Sequence, residues 1–127
     1  MSDTLTLTGV LSIVPDSSQS DATVSGQPRF QVPLNYTKAI TWSESRTIEV
    51  VPAGEGGQAS YSVTTEDENV LLIQSTTPVT ITFDGVSAYK VLVDPIVLLV
   101  SETTAYTDIT ITGYTVAGTV RLTMGRI

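Results

Sequence analysis

Apolar and polar residues alternate along much of the chain, and the pattern is clearest in its C-terminal half. Every second residue of segment 79–83 is apolar, and an Asp84-Gly85 pair, which tolerates positive φ and favours a tight hairpin, follows it. Segment 86–93 then predicts the second strand of that hairpin. The alternation returns in segment 119–124, where it predicts the last strand.

The N-terminal part begins with the same pattern and then loses it. Segment 4–14 predicts a strand with Leu5 and Leu7 on its apolar face. Segment 15–28 is rich in Ser, Asp, Gly and Pro and predicts a long polar loop. Strands resume near residue 30, but Pro33 lacks an amide proton and therefore favours an edge strand or an irregular one.

Helix signals are weak throughout, and nine to eleven short strands are predicted. The chain is therefore expected to form one all-β domain over residues 1–127, an antiparallel β-sandwich. A jelly roll is the first choice and an immunoglobulin-like sandwich the second. Segment 1–14 is a candidate arm or exchanged strand.

The low charge content bears on function. Only 15% of the residues are charged, against about 25% in an average soluble domain. Either an extracellular type of β domain or a subunit covered by its neighbours would explain this surface, and the second is favoured because interface cores are depleted of charge. The net charge of −7, with six scattered basic residues, argues against nucleic-acid and anionic-membrane partners.

The chain contains no cysteine and no histidine. Disulfides, Ser-His-Asp or Cys-His catalysis and His-based or thiolate metal centres are therefore excluded. Asp84, Asp94 and Asp108 could in principle supply a glycosidase-like carboxylate pair, but they stand beside turns and are typical turn formers. We predict no enzyme activity and no cofactor.

One acidic cluster, Glu66-Asp67-Glu68-Asn69, precedes an apolar run. Its oxygen atoms suit Ca²⁺, but the spacing is not that of an EF-hand loop. A solvated turn is the favoured interpretation.

No secretory signal is recognised at the N-terminus, because the chain begins with Met1-Ser2-Asp3 and lacks a basic and then an apolar region. The longest apolar run, residues 91–100, is too short to span a bilayer as a helix. Synthesis in a cytoplasm without export by that route is expected.

The segments PVTITFDG and DITITGYTVAGTVRLTMGRI resemble the C-terminal strands of small virion proteins of tailed bacteriophages, such as capsid decoration (cement) and head or tail accessory proteins. The resemblance is one of style over residues 79–127 and includes no specific motif. It implies a β-rich fold, frequent trimers, a location in the virion and a role in stabilising the head.

The favoured hypothesis is therefore a non-catalytic, oligomeric decoration protein, a trimer that also contacts the major capsid protein. The expected subunit or capsid contacts share apolar or terminal character. They are Leu5, Leu7, Trp42, Arg126 and Ile127.

Two alternatives stay open. A tail or fibre domain that binds host glycans would use an exposed aromatic platform, for which the candidates are Trp42, Tyr36, Tyr106 and Tyr114. A cellular adhesin-like β-sandwich is the other.

Overall fold

The computed structural model describes residues 3–13, 30–65, 67–83 and 86–127. The chain divides into two compact units. One is Thr4–Ala39, and the other consists of Met1–Asp3 and Ile40–Ile127. We call the first unit the ribbon and the second the sandwich.

The ribbon is a two-stranded sheet. Strand β1 (Asp3–Ile13) pairs with β2 (Phe30–Ile40), so the prediction of an edge strand at Pro33 is confirmed. Gly9 has a φ of 144°, a backbone conformation that residues other than glycine rarely adopt. The predicted polar loop 15–28 lies outside the described residues.

Among its described residues, the sandwich contains eight strands in two four-stranded sheets. A short 3-10 helix, Ala53–Glu55, follows the first of them. The strands are β3 (Trp42–Val50), β4 (Tyr61–Val63), β5 (Val70–Ser75), β6 (Val79–Phe83), β7 (Val86–Val93), β8 (Ile96–Val100), β9 (Ile109–Thr112) and β10 (Gly118–Arg126).

The two sheets have the orders β3-β10-β5-β8 and β4-β9-β6-β7, and every pairing within them is antiparallel. Four of the pairs are nested along the chain: β6 with β7, β5 with β8, β4 with β9 and β3 with β10. The sandwich thus has the connectivity of one long hairpin that is rolled into two layers, and the predicted antiparallel β-sandwich is confirmed.

The core lies between the two sheets and follows from the alternation along the strands. In the central strand β10, Val120, Leu122 and Met124 are buried, whereas Arg121 and Thr123 are exposed. In the facing sheet, β6 and β9 contribute their apolar positions in the same way. These are Val79, Ile81, Phe83, Ile109 and Ile111.

The hairpin predicted over 79–93 is confirmed by the antiparallel pairing of β6 with β7, although its Asp84-Gly85 turn lies outside the described residues. The pairing carries a register shift between Thr82 and Phe83. Within the described part of the chain, no helix is long and apolar enough to span a membrane.

Candidate assembly surfaces

The ribbon exposes apolar side chains that a water-soluble sheet would normally bury. Among its described side chains, residues 4–10 and 32–39, none is buried. Val10, Val32 and Leu34 are exposed. An isolated two-stranded sheet is at best marginally stable in water, because it has too little apolar surface to bury. Packing of these side chains against a further surface would remove their apolar area from water.

Two of the predicted contact residues, Leu5 and Leu7, lie on β1 of the ribbon. Both are half-buried, whereas Thr4, Thr6 and Thr8 are exposed, as the alternation predicts. Their role in subunit or capsid contacts stays a prediction.

The other three predicted contact residues come together at one end of the sandwich. Arg126 stands opposite Trp42 in the β10–β3 register, and its guanidinium carbon lies 5.8 Å from the centre of the indole ring. This distance is within the range of a cation–π interaction. Trp42 is half-buried, so the pair forms a partly covered patch at the edge of the sheet.

The C-terminal residues are fixed by Asn69. The Asn69 backbone amide donates a hydrogen bond of 2.8 Å to the Gly125 carbonyl. The side-chain oxygen of Asn69 accepts a hydrogen bond of 3.0 Å from the Ile127 backbone amide. The Thr41 amide binds the Arg126 carbonyl at 2.8 Å. Sequence reasoning grouped Asn69 with the acidic cluster and missed this role, because its partners are 56 to 58 positions away.

The interpretation of the acidic cluster as a solvated turn is wrong for Glu68, which is buried. Its backbone forms an isolated antiparallel bridge with Tyr106, and the Tyr106 amide donates a hydrogen bond of 2.7 Å to the Glu68 carbonyl. The side chain is fully buried. Neither carboxylate oxygen accepts a hydrogen bond of good geometry from the described residues.

The burial of Glu68 has an electrostatic consequence. Loss of hydration raises the pKa of its carboxyl above the ordinary value of 4.5, and the Asp67 charge adds to this effect. The Glu68 backbone amide, the Thr65 hydroxyl and the Arg46 charge oppose it only in part. Among the described residues, no three acidic side chains converge on a common point, as a calcium site would require. Glu66, the first member of the cluster, lies outside the described residues.

Replacing Glu68 by glutamine should raise the free energy of unfolding at pH 7 by about 1–3 kcal/mol, because the amide is neutral at every pH and avoids the cost of ionising a buried carboxyl. Glu68 stays protonated in the folded protein at pH values where it is ionised in the unfolded chain. The free energy of unfolding of the unsubstituted protein therefore falls as the pH rises through that interval. The gain should therefore disappear below about pH 4, where both forms are neutral.

Urea unfolding of both proteins between pH 4 and pH 7 measures this difference. Glu55→Gln is the matched control, because Glu55 is exposed and should show almost no gain. A gain of equal size at every pH would contradict the assignment of the effect to ionisation of Glu68.

The four aromatic rings considered for glycan stacking do not form an exposed set. Tyr114 is buried, its hydroxyl donates a hydrogen bond to the Gln58 carbonyl, and its ring lies 5.7 Å from that of Tyr61. The Tyr106 ring packs 5.5 Å from Phe83. Tyr36 and Trp42 are half-buried.

Strand β8 forms the outer edge of its sheet and pairs with β5 on one side. All five of its residues are apolar. Ile96 is 53% exposed and Leu98 is 44% exposed, whereas Val97 and Leu99 pack against the core. We call the exposed side of this strand, with Ile96 and Leu98, the β8 edge.

No protein-family model, curated protein or solved structure matches this chain.

Proposed function

We propose that this chain is a non-catalytic structural protein of a bacteriophage virion and that it acts as an oligomeric capsid decoration protein. The observation that carries the proposal is the ribbon. A two-stranded unit with Val10, Val32 and Leu34 exposed is an unfavourable structure for an isolated molecule, and packing on a neighbour removes that cost.

The strand order of the sandwich supports the same function. Nested pairing of eight antiparallel strands in two sheets is the arrangement we interpret as a jelly roll. Jelly rolls are common in viral capsid proteins and in lectins. The fold therefore agrees with both the decoration hypothesis and the glycan-binding alternative, and the surface has to distinguish them.

The aromatic residues favour the decoration hypothesis over glycan binding. A sugar-stacking platform needs a ring with an open face. Tyr114 is buried among core residues, and the Arg126 guanidinium lies near the Trp42 ring. In contrast, the large apolar residues that the ribbon exposes, Val10, Val32 and Leu34, are aliphatic, which suits strand and sheet packing between proteins.

The outer face of the β3-β10-β5-β8 sheet supplies a second surface suited to assembly. Ser45, Thr47 and Thr123 are exposed there, with Arg121 and Glu49 among them. Hydroxyl side chains of this kind are easily desolvated compared with Lys or Glu, because they carry no charge. A face of this composition can be covered by a neighbour at a low electrostatic cost.

Co-sedimentation with expanded capsids tests the proposed function. The capsids should be assembled from the major capsid protein of the same genome, and the parent protein should pellet with them at a saturating, fixed ratio. An unrelated acidic β protein of similar mass measures trapping in the pellet. Recovery of the parent protein in the supernatant at every concentration would contradict the proposal.

A further inference from the structure

We propose that the ribbon of one copy of this protein adds to the β8 edge of a second copy. The proposal rests on the proposed function for its biological setting, but its evidence is the geometry of the two surfaces. Each surface belongs to a unit that the structure describes by itself. The interaction would be strand addition, in which main-chain hydrogen bonds extend a sheet.

Strand β8 is the least protected edge strand of the sandwich. Natural edge strands are commonly protected by charge, bulges or short length. The other three edges carry such features: β3 has Glu44, Arg46 and Glu49, β4 has three residues, and β7 has Lys90 and an irregular register with β6. Strand β8 has no charged residue and an unbroken register with β5.

The backbone of β8 is oriented to accept another strand. The Pro95 carbonyl accepts a hydrogen bond from the Ser75 amide, and the Ser101 amide donates one to the Asn69 carbonyl. Odd-numbered positions of β8 therefore face β5, because antiparallel strands direct alternate residues to the same neighbour. The amide and carbonyl groups of Ile96, Leu98 and Val100 point away from β5, towards the open edge.

The side chains beside this edge offer apolar contact area. Leu98 stands opposite the half-buried Leu72 in the β5–β8 register. A shallow groove of about 490 Å³ lies next to Ile96 and is also lined by Pro95, Gln74 and Arg121. An incoming strand would therefore meet aliphatic side chains as well as open backbone groups.

Charge identifies the ribbon as the occupant. It contains two acidic and two basic residues and is neutral overall: Asp16, Asp21, Arg29 and Lys38. The sandwich therefore carries the whole net charge of −7. Direct pairing of two sandwiches would bring together two acidic bodies, whereas a neutral ribbon approaches the β8 edge without that repulsion.

The contact that results is heterologous, because each copy gives a ribbon and receives one at a different surface. Such contacts close into rings or continue as open chains, depending on the rotation between copies. This property permits a complementation experiment that a symmetric pairing of two β8 edges would fail.

Three full-length double variants, each with two added positive charges, test the proposal. The edge variant is Ile96→Lys with Leu98→Lys, and the ribbon variant is Val10→Lys with Leu34→Lys. The matched control is Ser60→Lys with Ser62→Lys, at exposed positions before and within β4, which is an edge strand of the other sheet. All the substituted side chains are exposed, so the variants should retain the thermal transition of the parent.

Sedimentation velocity over a concentration series gives the result. Self-association should weaken by at least about tenfold in the edge and ribbon variants and stay unchanged in the control. An equimolar mixture of the edge and ribbon variants should form a 1:1 dimer and nothing larger, because only one intact ribbon and one intact edge are available.

Two results would overturn the proposal: a parent protein that stays monomeric, or a mixture that forms no dimer although each variant is folded. A monomeric parent protein would also contradict the oligomeric state in the proposed function. It would leave capsid binding, which co-sedimentation tests, unaffected, because a monomer can still bind a capsid. Conversely, a protein that assembles through ribbon and edge but does not bind capsids would contradict the proposed function alone.

Discussion

Replacement of Leu122 by alanine should lower the free energy of unfolding by about 2–5 kcal/mol. Leu122 is fully buried in β10, the strand that pairs with β3 on one side and β5 on the other. Its side chain lies in the core shared by the two sheets. The substitution removes apolar contact and leaves a cavity that this doubly paired strand cannot move to fill.

Leu92→Ala is the matched control for this experiment. The chemical change is the same, but Leu92 is 67% exposed on β7, so we expect an effect within about 0.5 kcal/mol. Urea unfolding at one pH measures both variants, with an unchanged denaturant slope as evidence that the two states are comparable. Equal effects of the two substitutions would show that the sheets do not pack through β10 as the structure describes.

The strands were predictable from sequence because their signal is local. Alternation with a period of two needs only a few neighbouring residues, and β6 and β10 show it clearly. In β3 the local signal is confined to the second half of the strand, since Trp42 and the polar residues after it carry no clear alternation. They are strand residues because β10 pairs with them, an interaction that local sequence does not encode.

The division between ribbon and sandwich was not predictable in the same way. An arm was expected in residues 1–14, but the structure pairs β1 with β2 and places Thr4–Ala39 in a unit of its own. The alternation of β2 looks like that of any half-exposed strand. Which sheet a strand joins depends on long-range partners, and these also bring Arg126 to Trp42.

The burial of Glu68 had a local signal in the sequence, but the acidic residues around it pointed to a solvated turn. Glu68 stands two positions before Val70, so an extended chain places both side chains on the same side, and both are buried. The neighbouring acidic residues favoured a solvated interpretation. The bridge to Tyr106, 38 positions later, determines the burial.

Gly57→Ala is expected to destabilise the protein by about 1–3 kcal/mol or more, the usual cost of forcing extra volume into a packed site. A methyl group at this position would lie 1.9 Å from the Val51 carbonyl oxygen and 2.4 Å from the carbonyl carbon. The obstacle is backbone, so a change of side-chain rotamer cannot relieve it. The loop is also fixed by hydrogen bonds of 3.0 Å from the Gly57 amide to the Pro52 carbonyl and from the Gln58 amide to the Val51 carbonyl.

Gly54→Ala, in the same loop, separates this clash from the general effect of adding a methyl group. No atom lies within 4 Å of the added carbon at Gly54, so the variant should be as stable as the parent or slightly more stable, because alanine restricts the unfolded chain. Thermal or urea unfolding of the two variants gives the comparison. A Gly57→Ala protein as stable as the Gly54→Ala protein would mean that the loop does not close on Val51. The hydrogen bond from the Tyr114 hydroxyl to the Gln58 carbonyl would then be contradicted as well, because it depends on the same loop conformation.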